Sequence, residues 1–128
     1  QEVASIDPQR LQNFFTGPLA ARIFRSPQVW RELRFLAQVG QETLGPYTSL
    51  LEEGGETVVQ GVADCVFLED GAAVVVDYKS DRVQRPEQLL DRYRTQLELY
   101  RRLLGSTLGV PVKECVLYSF ALDREIRF

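Results

Sequence analysis

Histidine is absent from this chain of 128 residues. Its absence removes Ser-His-Asp and Cys-His nucleophiles, His-ligated zinc and imidazole general bases from the chemistry available within the chain. Cysteine is nearly absent: Cys65 and Cys115 stand alone, each inside an apolar run. Two isolated thiols cannot build a four-Cys zinc or iron–sulfur site. They suit buried free thiols, with a disulfide as the alternative, and free thiols suit the cytoplasm. No apolar run is long enough to span a bilayer, and no basic-then-apolar segment of the signal type opens the chain. Chemistry is left to carboxylates, Lys, Tyr and hydroxyls.

The length fits a single domain over residues 1–128, large enough to bury a core without staples. The formal net charge of −3 does not advertise nucleic-acid binding, but it is spread unevenly. Residues 1–40 carry five Arg against three acids, residues 41–77 carry eight acids and no base, and residues 79–102 carry seven bases against four acids. A basic helix has a plain reading as a solvated face. An acidic centre between basic flanks also suits a metal site that handles phosphates, because a divalent cation changes the local sign.

Asp7-Pro8 predicts an N-cap and a first-turn proline, opening a helix to about Thr16. Gly17-Pro18 breaks it, and a short helix over Leu19 to Phe24 follows. Val29 to Val39 alternates as a strand, with Trp30, Glu32 and Arg34 on one side and Arg31, Leu33 and Phe35 on the other. Residues 40–56, rich in Gly, Glu and Thr, read as an irregular excursion. Thr57 to Leu68 and Ala72 to Tyr78 are the clearest strands, joined by the hairpin dipeptide Asp70-Gly71. A long helix starts at Arg85-Pro86 and is expected to end at Gly105, with the stripe Leu89, Leu90, Tyr93, Leu97, Tyr100 and Leu104. Val112 to Ala121 is a last long strand, and Glu125 to Phe128 a short one. The order predicts an α/β layered domain with a mixed sheet whose opening strands meander.

A loop of Asp70-Gly71 sets the register so that Asp64 faces Asp77 across the hairpin. Lys79 lies two residues further along the same face. Facing like charges in an apolar strand pair destabilise unless something neutralises them, and a divalent cation does so well. An Asp64–Lys79–Asp77 ion network at a strand end is the structural alternative. On the long helix Gln96 falls at the edge of the apolar stripe and Tyr100 one turn on, so both can face the sheet. Each has a structural hydrogen bond as its plain explanation; beneath a metal site they suit phosphate or water positioning.

These residues resemble a known pattern. Gly61-Val62-Ala63-Asp64 resembles the G-x-x-D, Asp77-Tyr78-Lys79-Ser80 the D-Y-K-T, and Gln96 to Tyr100 the Q-x-x-x-Y of the RecB-like branch of the PD-(D/E)XK nuclease superfamily. Trp30 to Phe35 resembles an R-E-x-P-F strand, and residues 5–125 are similar to the C-terminal nuclease domains of bacterial helicase–nucleases of the AddA type. The resemblance implies a restriction-endonuclease-like mixed β-sheet with flanking helices, and a Mg²⁺- or Mn²⁺-dependent deoxyribonuclease with exonuclease character. It implies Asp64, Asp77 and the Tyr78 main-chain carbonyl as metal ligands, Lys79 assisting the attacking water, and Gln96 and Tyr100 supporting the site. Glu32 either faces the same pocket or pairs with a strand neighbour. Arg82, Arg85, Arg92 and Arg94 are the candidate DNA contacts. The implied partners are DNA, a helicase motor in cis and a second helicase–nuclease subunit, in a bacterial cytoplasm near the nucleoid and away from membranes. The chain departs from the pattern twice: it has no G-x-x-x-x-G-K-[ST] loop, and it lacks the His expected on an upstream helix. The expectation is therefore a fragment of a larger helicase–nuclease, with an incomplete site that binds Mg²⁺ weakly. A non-catalytic DNA-binding or scaffold domain of the same fold is the alternative, and an unrelated interaction domain with a structural Asp–Lys cluster is a third.

Overall fold

In a computed structural model, which describes residues 7–40 and 56–128, the Asp7 carboxylate accepts the Gln9 N–H at 2.9 Å and opens helix α1 (Pro8–Phe15). Gly17 then turns the chain, and Pro18 occupies the first turn of α2 (Pro18–Arg25). A third helix, α3 (Pro86–Leu108), follows the hairpin. Its first turn is capped by the Gln88 side chain, whose Oε1 accepts from the N–H groups of Gln84 and Arg85.

Strands β1 (Val29–Gly40), β2 (Glu56–Glu69), β3 (Ala72–Lys79), β4 (Val112–Ser119) and β5 (Arg124–Arg127) form one sheet in sequence order. All neighbours are antiparallel except β3 and β4, which α3 connects as a parallel crossover. Asp70 and Gly71 both take positive φ, 54° and 80°, as a type I′ hairpin loop requires. The resulting register pairs Glu69 with Ala72 and Cys65 with Val76, as the sequence predicts. Strand β3 is central and buried on both faces along Ala72 to Val76, which accounts for its unbroken apolar run.

Helices cover both faces of the sheet. Phe14, Leu19, Ala20 and Ile23 of α1 and α2 pack with Cys65, Phe67, Val74, Val76 and Val116. Leu99, Leu103 and Leu104 of α3 pack with Val66, Ala73, Val75 and Cys115, and Leu89 and Leu97 pack with Leu117 and Ile126. Both cysteines are free and buried, in clusters on opposite faces. The mixed sheet with three flanking helices is the restriction-endonuclease-like α/β fold expected from the sequence.

Three local expectations are corrected. First, α3 does not stop at Gly105: it runs to Leu108, and Gly109 takes the left-handed φ of 73° that ends a helix. Gly105 lies where β4 approaches; a Cβ built on it would sit 3.5 Å from the Val110 carbonyl and 3.9 Å from the Val112 Cγ2. Second, β1 does not keep one alternation. Trp30, Leu33 and Phe35 all pack against the same cluster, because Glu32 takes φ 50° and reverses the facing order there. Pairing skips Glu32 opposite Asp64 but keeps the same register on both sides, so no residue is inserted. Third, β4 ends at Ser119 rather than Ala121; the Phe120 N–H still donates to the Lys79 carbonyl at 3.1 Å. Of the excursion expected over 40–56, Gly40 and Glu56 pair with each other, and the rest lies outside the described residues.

The sheet forks beyond Cys65 and Val76. From there β2 pairs with β1 alone, and β3 with β4 alone.

Candidate active site

The fork is where the acidic motif residues gather. In place of a further backbone rung, the Asp64 Oδ2 accepts the Tyr78 N–H at 2.9 Å, fixing that carboxylate against the opposite strand. The Asp77 Oδ2 lies 2.9 Å from the Lys79 Nζ, with only 15% of the Asp77 side chain and 17% of the Lys79 side chain exposed. Asp64, Asp77 and Lys79 line one cavity of about 370 Å³ with Val62, Ser80, Asp81, Tyr93, Gln96 and Tyr100. The Asp64–Asp77 juxtaposition anticipated from the hairpin register is therefore present, and α3 contributes its predicted pair.

Electrostatics mark the two carboxylates as a strained pair. Burial, and then the facing Asp64, pushes the Asp77 carboxyl well above the usual carboxylate range. Burial disfavours the Lys79 ammonium, but the neighbouring Asp77 carboxylate outweighs it and the net shift is upward. One ammonium compensates one carboxylate, so two ionised Asp here call for another positive charge.

The supporting residues are held by specific contacts. Gln96 Nε2 donates to the Tyr100 hydroxyl at 3.1 Å, and the Tyr100 ring meets Phe35 edge-on at 4.9 Å. Gly61 explains the glycine of its motif. A Cβ there would overlap the Phe35 ring and come within 2.8 Å of the Tyr100 Cζ, so only glycine lets these rings cover the strand. The Tyr78 side chain lies on the other face, edge-on to Phe14 at 5.3 Å, while its main chain serves the cavity side.

Ser80, Asp81 and Tyr93 also line the site, although sequence reasoning does not single them out for it. Tyr93 falls in the apolar stripe of α3, yet the Lys79 Nζ sits 3.9 Å above its ring centre. Its hydroxyl and Arg92 Nη1 each donate to the Asp81 Oδ2 at 2.8 Å. Burial alone would raise the Asp81 carboxyl, but those two donors outweigh it and hold it below the usual range. The signal for Tyr93 is its spacing, one helical turn before Gln96 on a stripe aimed at the sheet.

The remaining candidates stand apart from the cavity. Glu32 is exposed, opposite Asp64 by register but not among the lining residues. Arg82 and Arg85 are exposed, Arg92 is engaged by Asp81, and the Arg94 guanidinium lies 5.5 Å from the Phe128 ring centre.

Two carboxylates on a polar notch suit a hard divalent cation, which takes oxygen ligands and, for Mg²⁺, keeps several waters. Among the described residues no group of three His, Cys, Asp or Glu comes together as a fuller ligand set. The donors present fit a cation held by few protein ligands.

Comparisons with known proteins agree with this geometry. The chain is 42% identical over 123 residues to the larger "ATP-dependent helicase/nuclease" polypeptide of AddA type from Desulforamulus reducens, covering 94% of this chain and 10% of that protein. The proteins of the same name from Geobacillus kaustophilus and Pelotomaculum thermopropionicum are each 38% identical, over 94% and 99% of this chain. The chain thus spans about 10% of the length of the curated relatives it matches. Among solved structures, the crystal structure of SSO0001 matches with a TM-score of 0.54 and 15% identity, over 96% of this chain and 48% of that one, which supports the fold. A family model, that of the PD-(D/E)XK nuclease superfamily, covers residues 4–125. With that match over nearly its whole length, and the motif residues assembled at the fork of its sheet, the chain belongs to the PD-(D/E)XK nuclease superfamily.

Proposed function

We propose that this chain is a metal-dependent DNA nuclease domain, the nuclease part of a longer helicase–nuclease that works on broken DNA. The observation that supports it best is the placement of Asp64, Asp77 and Lys79 on one notch, with Asp64 fixed by a backbone N–H. In this reading Asp64, Asp77 and the Tyr78 carbonyl hold Mg²⁺ or Mn²⁺. When bound, such a cation polarises the phosphate and makes water a nucleophile near neutral pH. The chain's own groups do the rest. Lys79 orients the attacking water and offsets charge on the phosphate, and the Tyr93 ring holds the ammonium in place. The Gln96–Tyr100 pair presents an amide and a hydroxyl to the same cavity, suited to positioning a phosphate oxygen.

The superfamily pattern expects a further His ligand, which this sequence lacks. With two carboxylates and one carbonyl, the site binds Mg²⁺ weakly and turns over slowly. The names of its relatives carry the rest of the proposal: a helicase motor in cis, a second subunit, exonucleolytic action, and a place in the bacterial cytoplasm at the nucleoid. Among the described residues no helix is long and apolar enough to cross a membrane.

The test is calorimetric titration of Mn²⁺ into wild type and Asp77→Asn, with cleavage of a labelled oligonucleotide followed in parallel. Wild type is expected to bind and cut slowly, and Asp77→Asn to do neither. At a metal concentration of 100 times the Kd, wild type should also gain about 2.7 kcal/mol of stability that the variant does not. Equal binding by both proteins would remove the assigned site. Salt-dependent DNA binding without cleavage by either would favour a non-catalytic DNA-guiding role.

A further inference from the structure

A second cavity adjoins the active-site notch. It has a volume of about 560 Å³ and is lined by Asp7, Arg10, Ser80, Arg82, Val83, Phe120 and Ala121. Ser80 lines both cavities, so they meet directly beside Lys79. Three peptide steps of at most ~3.6 Å each separate Lys79 from Arg82, which keeps the two cations within about 11 Å along the chain. That is short enough for neighbouring phosphates of one DNA strand to reach both.

The two arginines differ in a useful way. Arg10 is anchored: its Nη1 donates to the carbonyls of Phe120 at 2.6 Å and Ala121 at 2.8 Å, and lies 3.4 Å from the Asp123 carboxylate. Among the described residues only that nitrogen of its guanidinium is engaged, which leaves Nε–H and the Nη2 donors for a ligand. Such a pre-placed planar fork suits bidentate contact with phosphate oxygens. Arg82 is exposed and has no partner among the described residues. The one acid in the lining, Asp7, is occupied as a helix cap and accepts the Gln9 N–H. Asp81, next in the chain to Ser80, is neutralised by Arg92 and Tyr93. The cavity therefore presents two guanidiniums with spare donors beside a notch meant for the scissile phosphate.

We infer that this cavity is a seat for a backbone phosphate flanking the bond to be cut, with Arg10 and Arg82 as its two arms. The inference rests on the nuclease reading above for the identity of the strand. It assigns Arg10, which lies at the opposite end of the sequence from the motif residues, to substrate positioning.

The experiment measures the affinity of a fluorescein-labelled single-stranded oligonucleotide by anisotropy, in EDTA and across a salt series. Arg82→Ala is expected to weaken binding and to reduce the slope of log K against log salt by about 0.7, the share of one phosphate on a single strand. Arg10→Gln should do the same, and Arg10→Lys should restore part of the slope. Arg124→Ala, on β5, should leave it unchanged. Arg10 also ties α1 to the β4–β5 turn, so its variants are accepted only with an unaltered melting curve, and Arg82→Ala carries the decision. With Mg²⁺ present, Arg82→Ala should raise KM for cleavage while leaving kcat near that of wild type. A salt slope for Arg82→Ala equal to that of wild type overturns the phosphate seat. Cleavage that survives Asp77→Asn overturns the nuclease reading instead, and the slope still decides the seat.

Discussion

Gly61 shows how a motif position is dictated by neighbours that the motif does not contain. Its bare backbone lies beneath Phe35 from β1 and Tyr100 from α3, and the latter ring carries the hydroxyl that Gln96 contacts. Gly61→Ala is expected to cost ~1–3 kcal/mol by overpacking and to displace Tyr100 from the notch. Chemical denaturation gives the first quantity, and loss of cleavage with Mn²⁺ binding retained gives the second. Asp64 and Asp77 were legible from the sequence because a two-residue loop leaves one register open. Tyr93 was not, since a tyrosine on an apolar stripe carries no sign that its ring will seat an ammonium. Simple alternation misassigns the faces around Glu32, because a single residue at φ 50° undoes it.

At the scale of elements, α3 joins the fold to the site, because one helix supplies both core leucines and notch residues. Its start was evident in the sequence from Arg85-Pro86; its end was not. Two glycines four residues apart compete for the stop, and only the path of the following strand decides between them. The structure predicts opposite outcomes for the same substitution. Gly105→Ala places a methyl at ordinary contact distance within a helix and should stabilise by ~0.5–1 kcal/mol. Gly109→Ala puts a side chain at φ 73° and should destabilise by about 1 kcal/mol. Paired urea melts of the two variants check this, and a common sign would place the helix end wrongly.

Over the whole molecule, the two ends of the β2–β3 pair are built differently. At the hairpin end every carboxylate finds a base. Glu69 contacts Arg22 and Lys113 at 2.8 Å each, and Glu114 lies 2.9 Å from Arg22, at a contact that lacks hydrogen-bond direction. The hydrogen bond from Arg22, then that from Lys113, holds the Glu69 carboxyl down at about 2. A depressed carboxylate adds stability above its ordinary value of 4.5 and loses it as pH falls toward about 2. Glu69→Gln should therefore melt earlier at neutral pH, by ~1 kcal/mol or less for a partly exposed network. The gap from wild type should close over that acid window in thermal melts.

At the other end the fork leaves β1 and β2 to continue as a two-stranded ribbon, paired over eight rungs from Leu33–Ala63 to Gly40–Glu56. At ~3.3 Å per residue this ribbon is some ~26 Å long. It is joined to the remaining sheet at the Asp64–Tyr78 bond and braced by Phe35 against Tyr100. Mechanically it is a lever whose fulcrum is a site carboxylate. A load on its distal end reaches Asp64 as a rotation, so whatever grips the ribbon sets the spacing between Asp64 and Asp77 without touching either.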